Sequence, residues 1–384
     1  MHTQKKQILA SYIGLCLASV LTSGCDSKNN DPLPGNREPF IILSEGVDIS
    51  PTLKGKAVNI PAAHTNNAWH TVGGNAHHAM GPLKASLSPT LKWKVSIGQG
   101  SRDDHRLISN VIVDGNRVYG MDSVGHVFAV DAQDGKVLWS VQTSPDESKD
   151  EALGGGVCFG QGMIFASTAF GDVIALNPED GKEIWRTSLK TPFRNAPTFA
   201  EGRLFIISIS NETHAVNAQN GEAIWSHSGI LEPAALLGNA SPAVMDDTVI
   251  VAYSSGEVFA FQAHNGQVLW SDTIMPAVRT DTVASIPHIR ARPIIDRGQV
   301  FILSHGGRMT AIDLKTGSRL WQKFISGIRT PAVSGTNGEL QLIKTQDGTL
   351  SQTLNFDGKA FISPVVAGET IYLLGDSGTL YAWV

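Results

Sequence analysis

Four closely spaced histidines are the first residues in this 384-residue sequence whose types suggest chemistry: His64, His70, His77 and His78. A zinc ion would need three or four such ligands in a defined geometry. The segment supplies no thiolate, and no two of these histidines form an i, i+4 pair on an evident helix. We therefore predict no metal site, and we interpret residues 61–90 as an irregular lead-in to the domain that follows.

Carboxylates could serve as a general base or as Ca²⁺ ligands. Asp131, Asp134, Asp180 and Asp313 all fall at or near a glycine, in short turns between apolar stretches. Turn geometry accounts for acids at such positions, because an aspartate side chain can accept hydrogen bonds from the backbone of its own turn. We therefore predict no catalytic residue among them.

The N-terminus has the features of a lipoprotein signal peptide over residues 1–24. Lys5 and Lys6 precede an apolar stretch, 8–21, that is shorter than a comfortable membrane span. The sequence L-T-S-G-C, which ends at Cys25, resembles a lipobox. We predict that Cys25 is lipidated and becomes the mature N-terminus; an ordinary signal peptide that contains a cysteine is the alternative.

The other cysteines agree with this assignment. Cys16 is removed with the signal peptide, which leaves Cys158 in an apolar strand pattern as a small buried residue, with no partner for an internal disulfide. Residues 25–60 are rich in Pro, Gly and Asn without sustained periodicity, so they predict a flexible tether.

Composition favours one turn-rich all-β domain, because 42% of residues are hydrophobic, 17% are charged, and the chain holds 39 Gly and 18 Pro. The formal net charge is −5, and no basic cluster follows Lys5-Lys6. Nucleic acid is therefore not a predicted partner.

A repeat organises the rest of the chain, since adding 14 to a small turn residue gives a tryptophan five times. The pairs are Gly125 and Trp139, Gly171 and Trp185, Asn211 and Trp225, Gly256 and Trp270, and Gly307 and Trp321. Between the two members of a pair, apolar residues alternate with period 2 around a D-G, T-G or N-G dipeptide, which is typical of a β-hairpin whose glycine adopts positive φ. A further short strand begins upstream, usually after a proline. Each unit thus predicts four strands, a to d, with the tryptophan on strand d.

Units of this length with four short strands predict the blades of a β-propeller over residues 91–384. Trp93 resembles the tryptophan of a strand d without a preceding blade, and the last unit, from Pro364, ends after strand c. We predict that the N-terminal strand closes the last blade. The sixth unit has Gln352 in place of tryptophan, and only 7 residues separate Pro331 from Gly338, so we predict that it lacks strand b or combines parts of two units. We predict seven blades, with eight as the alternative.

A resemblance follows from the repeats A-V-D-A-Q-D-G-K-V-L-W ending at Trp139, A-L-N-P-E-D-G-K-E-I-W ending at Trp185 and A-I-D-L-K-T-G-S-R-L-W ending at Trp321. They resemble the tryptophan-docking motif of quinoprotein-type propellers, a family that includes PQQ-dependent dehydrogenases and BamB-like outer-membrane assembly lipoproteins. In such propellers the tryptophan packs between blades. The predicted structural tryptophans are Trp93, Trp139, Trp185, Trp225, Trp270 and Trp321.

The BamB-like side of this resemblance agrees better with the sequence. A PQQ enzyme would hold a quinone and Ca²⁺, commonly beneath a vicinal disulfide, whereas this chain has no Cys-Cys pair and no long insertions. The resemblance implies no cofactor and no enzymatic activity. It implies binding to BamA-like POTRA domains, other BAM subunits and unfolded outer-membrane proteins, at the periplasmic face of the outer membrane. Two alternatives are a PQQ-dependent dehydrogenase and a propeller of another envelope complex. Asp26 resembles an inner-membrane retention signal, so the inner membrane is the alternative location.

Two long connections from strand d to the next strand a are the predicted partner surface. Trp225 to Pro242 takes 17 residues and Trp270 to Pro293 takes 23, and long loops on a rigid scaffold commonly bind partners. The first loop resembles the docking loop of BamB-like proteins, although Leu237 stands where arginine is expected. His288 and Arg290 stand where that family has acids. The predicted partner-binding residues are Leu236, Leu237, Gly238, Asn239, His288 and Arg290. The alternative is that Leu236 and Leu237 only cap their blade and that Arg290 and Arg292 are solvated.

Overall fold

The computed structural model describes residues 61–86, 88–103, 105–145, 154–232, 235–276, 286–323, 339–343 and 350–384. The signal peptide, Cys25 and the tether lie outside these residues, as do Pro331 and Gly338 of the sixth repeat. Every regular element in the described ranges is a β-strand. No helix suited to crossing a membrane occurs among them.

The strands of the described ranges fall into sets that follow the sequence repeats. The first strand and the first two sets are β1 (Leu91–Ser96), β2 (Ile112–Asp114), β3 (Arg117–Met121), β4 (His126–Asp131), β5 (Val137–Gln142), β6 (Gly155–Gly160), β7 (Met163–Thr168), β8 (Asp172–Leu176) and β9 (Glu183–Ser188). The next two sets are β10 (Thr198–Ala200), β11 (Arg203–Ile207), β12 (Glu212–Asn217), β13 (Ala223–Ser228), β14 (Ala243–Met245), β15 (Thr248–Ala252), β16 (Glu257–Gln262) and β17 (Val268–Thr273). The remaining strands are β18 (Ile294–Asp296), β19 (Gln299–Ser304), β20 (Arg308–Asp313), β21 (Arg319–Lys323), β22 (Glu339–Ile343), β23 (Leu350–Asn355), β24 (Val365–Ala367), β25 (Thr370–Leu374) and β26 (Thr379–Trp383).

These strands form six four-stranded antiparallel sheets and one two-stranded sheet within the described residues. Five of the four-stranded sheets have consecutive strands in the order a-b-c-d, and the innermost strands β2, β6, β10, β14 and β18 contact one another in turn. The predicted all-β propeller is therefore confirmed. The seven sheets are consistent with seven blades, and no eighth sheet occurs in the described ranges.

The last sheet is closed by the N-terminal strand, as predicted. Its order is β1-β26-β25-β24, with Trp93 opposite Ala382 and Val95 opposite Leu380. Because the first and last strands of the propeller lie in one sheet, no open blade edge remains at the point where the propeller closes.

A β-bulge explains why tryptophan recurs 14 residues after the turn. In the first blade Ala129 pairs with Trp139 and the next residue, Val130, pairs with Val137, so that Leu138 has no partner. The same register shift occurs opposite Trp185, Trp225, Trp270 and Trp321. An extra residue in one strand re-aims its neighbours; here the tryptophan faces the next blade and the residue before it is exposed.

The turn between strands c and d uses the predicted glycine and aspartates. Gly135 has φ of 77°, and its N–H donates to the carbonyl of Asp131 at 2.9 Å. The carboxylate of Asp131 accepts the N–H of Gln133 at 2.7 Å. Asp180 and Asp313 accept backbone N–H groups in the corresponding turns. These carboxylates therefore shape turns on the outside of the blades.

Five of the predicted structural tryptophans contact the next blade in the same two ways. Trp139 lies against Gly181, where an added Cβ would be 2.7 Å from the indole, and its Nε1–H donates to the carbonyl of Pro178 at 3.0 Å. The same pair of contacts joins Trp93 to Gly135 and Ala132, Trp185 to Gly221 and Ala218, Trp225 to Gly266 and Ala263, and Trp270 to Gly317 and Leu314.

The sixth sheet is reduced in the described residues to β22 and β23. Gln352 lies opposite Leu342, next to a bulge, which is the position that tryptophan occupies in the other blades. Its amide Nε2–H donates instead to the carbonyl of Pro89 at 3.1 Å. The predicted loss of strand b concerns residues outside the described ranges.

The lead-in segment, residues 61–86, crosses one end of the central channel. Backbone carbonyls of Asn66, Trp69, His70, Ala76 and His77 accept N–H groups from five different blades. The donors are Gly368, Val113, Phe159, Val244 and Ile295, at 2.7 to 2.9 Å. All five donors lie within or just beyond an innermost strand, toward its a–b turn, so the segment spans the channel at the a–b end.

Candidate functional site

The opposite end of the channel is a two-part cavity lined by the starts of the innermost strands. Its inner chamber, of about 70 Å³, is lined by polar residues that precede strands a. Those polar residues are Asn110, Arg194, Asn195, Asn239, Ser241, Arg290, Arg292 and Ser363. Every one of these positions lies at the end of a d–a connection, just before a strand a. Since the strands a surround the channel, the repeat brings these residues from distant parts of the chain into one ring around it.

An outer chamber of about 400 Å³ lies against the inner one. Arg106, Leu237, Arg290, Lys359 and Phe361 contribute to its wall, and Arg290 and Phe361 line both chambers. The cavity is therefore a funnel on the d–a face, with cationic side chains along its depth.

The two long loops that the sequence singled out meet at this funnel. The N–H of Leu236 donates to Nδ1 of His288 at 2.9 Å, which joins the first loop to the second. Gly238 has φ of 93°, and an added Cβ would be 2.9 Å from Nε of Arg290. Asn239 donates from its side chain to the carbonyl of Ser208 at 2.8 Å. The predicted residues therefore form one cluster.

The degree of burial differs among these residues. His288 is only 1% exposed, so its side chain positions the Leu236 backbone and does not face a partner. Arg290 is half-buried in the wall of the funnel, so it is not a fully solvated residue. Leu236 and Leu237 are half-buried as well. Family position alone did not distinguish a residue that holds the loop from one that faces outward.

The environment of His288 should make the protein acid-sensitive. Burial, with the nearby charges of Arg290 and His305, lowers the pKa of His288 from 6.5 to about 4. The unfolded chain therefore binds a proton on this histidine before the folded chain does. The stabilisation that depends on neutral His288 is fully present above pH 6.5 and is lost as the pH falls toward 4. At about 1.4 kcal/mol per pH unit, the free energy of unfolding should decrease by roughly 3 kcal/mol.

Urea unfolding of wild type and His288→Gln between pH 7 and 4 measures this loss. A glutamine oxygen can accept the Leu236 N–H without titrating, so the free energy of unfolding of the variant should fall less steeply with acid. The exposed His64 provides the control variant His64→Gln, which should follow wild type. Parallel curves for wild type and His288→Gln would contradict the assignment.

Sequence reasoning missed the most exposed apolar residues of this face. Ile230 is 60% exposed and Leu231 69%, and both directly follow strand β13. The Ile230 backbone is held at both ends, because its N–H donates to Glu257 Oε2 at 2.7 Å and its carbonyl accepts Asn211 Nδ2 at 2.6 Å. Met275 is also exposed in a d–a connection. The available signals for this exposed pair were Asn211, which is buried between two strands, and Glu257, at the start of a strand in the next blade.

Three of the four lead-in histidines, His70, His77 and His78, each have a separate local role. His70 Nε2 lies 2.7 Å from Asp114 Oδ1, His77 Nε2 lies 3.0 Å from Asn75 Nδ2, and His78 Nδ1 donates to the carbonyl of Pro293 at 2.8 Å. Burial and the charge of Arg292 lower the pKa of His78 to about 3. Within the described ranges, no three His, Cys, Asp or Glu side chains converge as metal ligands would.

A quinone with Ca²⁺ does not fit the funnel. Calcium requires six to eight oxygen ligands, several of them usually carboxylate. Arginine, asparagine and serine line the inner chamber, and no described lining residue of either chamber is an acid. Cys158, the remaining thiol candidate, is fully buried in β6, where burial raises its pKa.

These features define a class of protein: a tryptophan-docked β-propeller whose loop-bearing face has an apolar loop and a cationic funnel. A family model described as outer membrane protein assembly factor BamB matches residues 88–149 and 123–337, more than half of the chain. The chain belongs to this BamB family of outer membrane protein assembly factors.

Individual relatives agree with this assignment. The outer membrane protein assembly factor BamB of Salmonella typhimurium strain LT2 is 27% identical over 320 residues, which covers 79% of this chain and 81% of the relative. BamB of Yersinia pestis is 25% identical and covers 79% of this chain and 92% of its own length.

Solved structures share the fold. BamB from Moraxella catarrhalis superimposes with a TM-score of 0.63 at 14% identity, over 77% of this chain and 99% of the other. A quinohemoprotein alcohol dehydrogenase from Comamonas testosteroni gives a TM-score of 0.54 at 12% identity, over 84% of this chain and 81% of the other. At these identities the likeness concerns the fold alone.

Proposed function

We propose that this protein is a non-catalytic periplasmic scaffold lipoprotein that assists the assembly and insertion of β-barrel proteins into the outer membrane. In this proposal it docks on BamA-like POTRA domains, alongside the other BAM subunits, through its d–a face. Family membership supports the assembly role, since the relatives are named as assembly factors. It also supports an outer-membrane location for the scaffold.

The observation that carries the docking proposal is the exposed pair Ile230 and Leu231, in which hydrogen bonds hold the backbone of Ile230 on both sides. Apolar anchors that are held in place before binding lose little conformational freedom on association, and a few such residues dominate the affinity of an interface. Leu236, Leu237, Gly238, Asn239 and Arg290 lie on the same face, and His288 holds their loop beneath it. An apolar centre beside cationic groups matches the usual anatomy of a protein interface.

Replacing Leu231 with aspartate should reduce co-purification of the POTRA-bearing partner from envelope extracts by about tenfold or more, because a buried anchor contributes about 2 kcal/mol. An exposed side chain contributes little to folding, so the variant should keep its circular dichroism spectrum and melting temperature. Pull-down with the purified POTRA domains then gives the affinity directly.

Ile184→Asp is the matched control, since Ile184 is 50% exposed but lies on the outer strand β9 and not on the d–a face. It should bind like wild type. If Leu231→Asp and Leu236→Asp both remain folded and both co-purify at wild-type yield, docking does not use this face. A loss in both Leu231→Asp and Ile184→Asp would point to a general surface effect and would also contradict the proposal.

The lack of catalysis is part of the proposal and is supported by the described lining of the funnel, which offers arginine and amide groups in place of a carboxylate base. Reconstitution with PQQ and Ca²⁺ should therefore produce no substrate-dependent reduction of an electron-accepting dye. Such activity would favour the dehydrogenase alternative.

Membrane attachment through Cys25 is proposed on the lipobox. Intact-mass measurement of the membrane-bound protein should show a lipid-modified N-terminus, and Cys25→Ser should release the protein into the soluble periplasmic fraction. Sucrose-gradient fractionation decides between the outer membrane and the inner membrane that Asp26 suggests.

A further inference from the structure

Within the described residues, the lead-in segment lies at the a–b end of the channel and contributes to the inner chamber, which suits retention of a ligand better than passage. Ile108, Arg290 and Phe361 line both chambers of the funnel, so the two chambers are adjacent. Val72, in the lead-in segment, contributes to the wall of the inner chamber. That segment spans the a–b end of the channel through its hydrogen bonds to five blades.

Positive charge is concentrated along this cavity although the chain has a formal charge of −5. Arg106 and Lys359 lie in the outer chamber, Arg290 at the junction, and Arg194 and Arg292 in the inner chamber. Neither Arg194 nor Arg290 forms an ion pair with an acid in the described part of the chain. Burial lowers the pKa of Arg290, since the charged form is poorly solvated there. An enclosed group of like charges concentrates anions.

A buried amide in the same wall has an unused hydrogen-bonding atom. Asn195 is 5% exposed, and its Nδ2–H donates to the carbonyl of Ala240 at 3.2 Å. Its Oδ1 has no hydrogen-bond partner. Buried polar atoms are nearly always paired, so an orphan acceptor in a cavity wall is informative. A ligand that carries an O–H as well as negative oxygens would satisfy both this amide and the guanidinium groups.

We propose that the inner chamber binds a small oxyanion that also bears an O–H group, in the class of hydrogen phosphate or a short hydroxycarboxylate. About 70 Å³ exceeds the roughly 10–15 Å³ that one water needs. A phosphate-sized group fits this space, and anything larger must extend into the outer chamber. Guanidinium groups bind such oxyanions through paired, charge-assisted hydrogen bonds. The site is distinct from the exposed apolar pair used for docking, and it needs no partner protein.

Inorganic phosphate is the probe, titrated by isothermal calorimetry into the mature protein against sodium chloride of equal ionic strength. Wild type should bind one phosphate per chain and show a saturable rise in melting temperature. Arg194→Gln and Arg290→Gln should each weaken binding about tenfold or more, since a hydrogen bond to a charged group contributes about 1.5–3 kcal/mol. Arg297→Gln, on an exposed a–b turn, should bind like wild type.

The anion could be free or could be presented by a docked protein, and a competition separates these sources. If phosphate at saturating concentration releases the POTRA-bearing partner, the partner presents the oxyanion; if it does not, the site takes a free anion. Arg290→Lys keeps the charge without the paired donors and should bind with intermediate affinity, which also tests the site if a glutamine variant fails to fold. Lactate, a short hydroxycarboxylate, is titrated in the same way; absence of saturable binding of both phosphate and lactate, or equal binding by all variants, would overturn the proposal. Such a result would leave the Leu231 docking test unaffected.

Discussion

Trp270→Ala should lower the free energy of unfolding by about 3–5 kcal/mol, the range for removing a large buried aromatic ring. Trp270 is 8% exposed, its ring lies against Gly317 of the next blade, and its Nε1–H donates to the carbonyl of Leu314 at 2.8 Å. The substitution would leave a cavity between two sheets and an unpaired carbonyl. The shift in the urea midpoint, at constant slope, measures the loss.

Trp321→Ala is the comparison within the same repeat. Trp321 occupies the equivalent position on β21 but is 38% exposed, so its ring buries less apolar surface in the folded protein and its removal loses less hydrophobic stabilisation. We expect it to cost less than half as much as Trp270→Ala. Equal losses at the two positions would show that contact between blades does not determine the contribution of these tryptophans.

Gly266→Ala is expected to cost about 2–5 kcal/mol, from two separate causes. Gly266 has φ of 74°, and an L-residue in this left-handed region loses about 1–2 kcal/mol relative to glycine. A Cβ would also lie 2.6 Å from the ring of Trp225, and such overpacking typically costs a further 1–3 kcal/mol. Thermal and urea unfolding of the purified variant give the total.

Gly298→Ala separates the two causes, because Gly298 has the same φ of 74° and an added Cβ there meets nothing within 4 Å. Its cost should be that of the backbone conformation alone, about 1–2 kcal/mol. The difference between the variants is the steric contribution of the docked tryptophan, and it should disappear when both are made in a Trp225→Ala background. A difference that persists without Trp225 would disprove the contact.

Stability and partner docking depend on different parts of this fold. The tryptophans and turn glycines join the outer parts of the blades, whereas the exposed pair and the cationic funnel lie on connections at the d–a face. Substitutions in the first set should therefore lower stability before they affect docking, and substitutions of Leu231 should do the reverse. Measuring both properties for each variant distinguishes a misfolded scaffold from one that cannot bind.

The sequence by itself determined the parts of the structure that depend on local pattern. Alternation with period 2, turn glycines and the 14-residue spacing predicted the strand order of each blade, and the tryptophan of Leu91–Ser96 predicted that this strand closes the last sheet. Such features can be predicted from the sequence because a strand has a repeating buried face and a turn needs particular residues, whatever lies elsewhere in the chain.

Only the tertiary structure decided which loop residues face outward. His288 was predicted to contact a partner and is buried beneath Leu236. Ile230 and Leu231 are exposed where Glu257, at the start of β16, and Asn211, in the b–c turn of the preceding blade, hold the backbone of Ile230. The funnel likewise collects Arg106, Arg194 and Arg290 from separate blades. Loops lack a periodicity that relates sequence to orientation, so the direction of each side chain depends on contacts with residues far away in the chain.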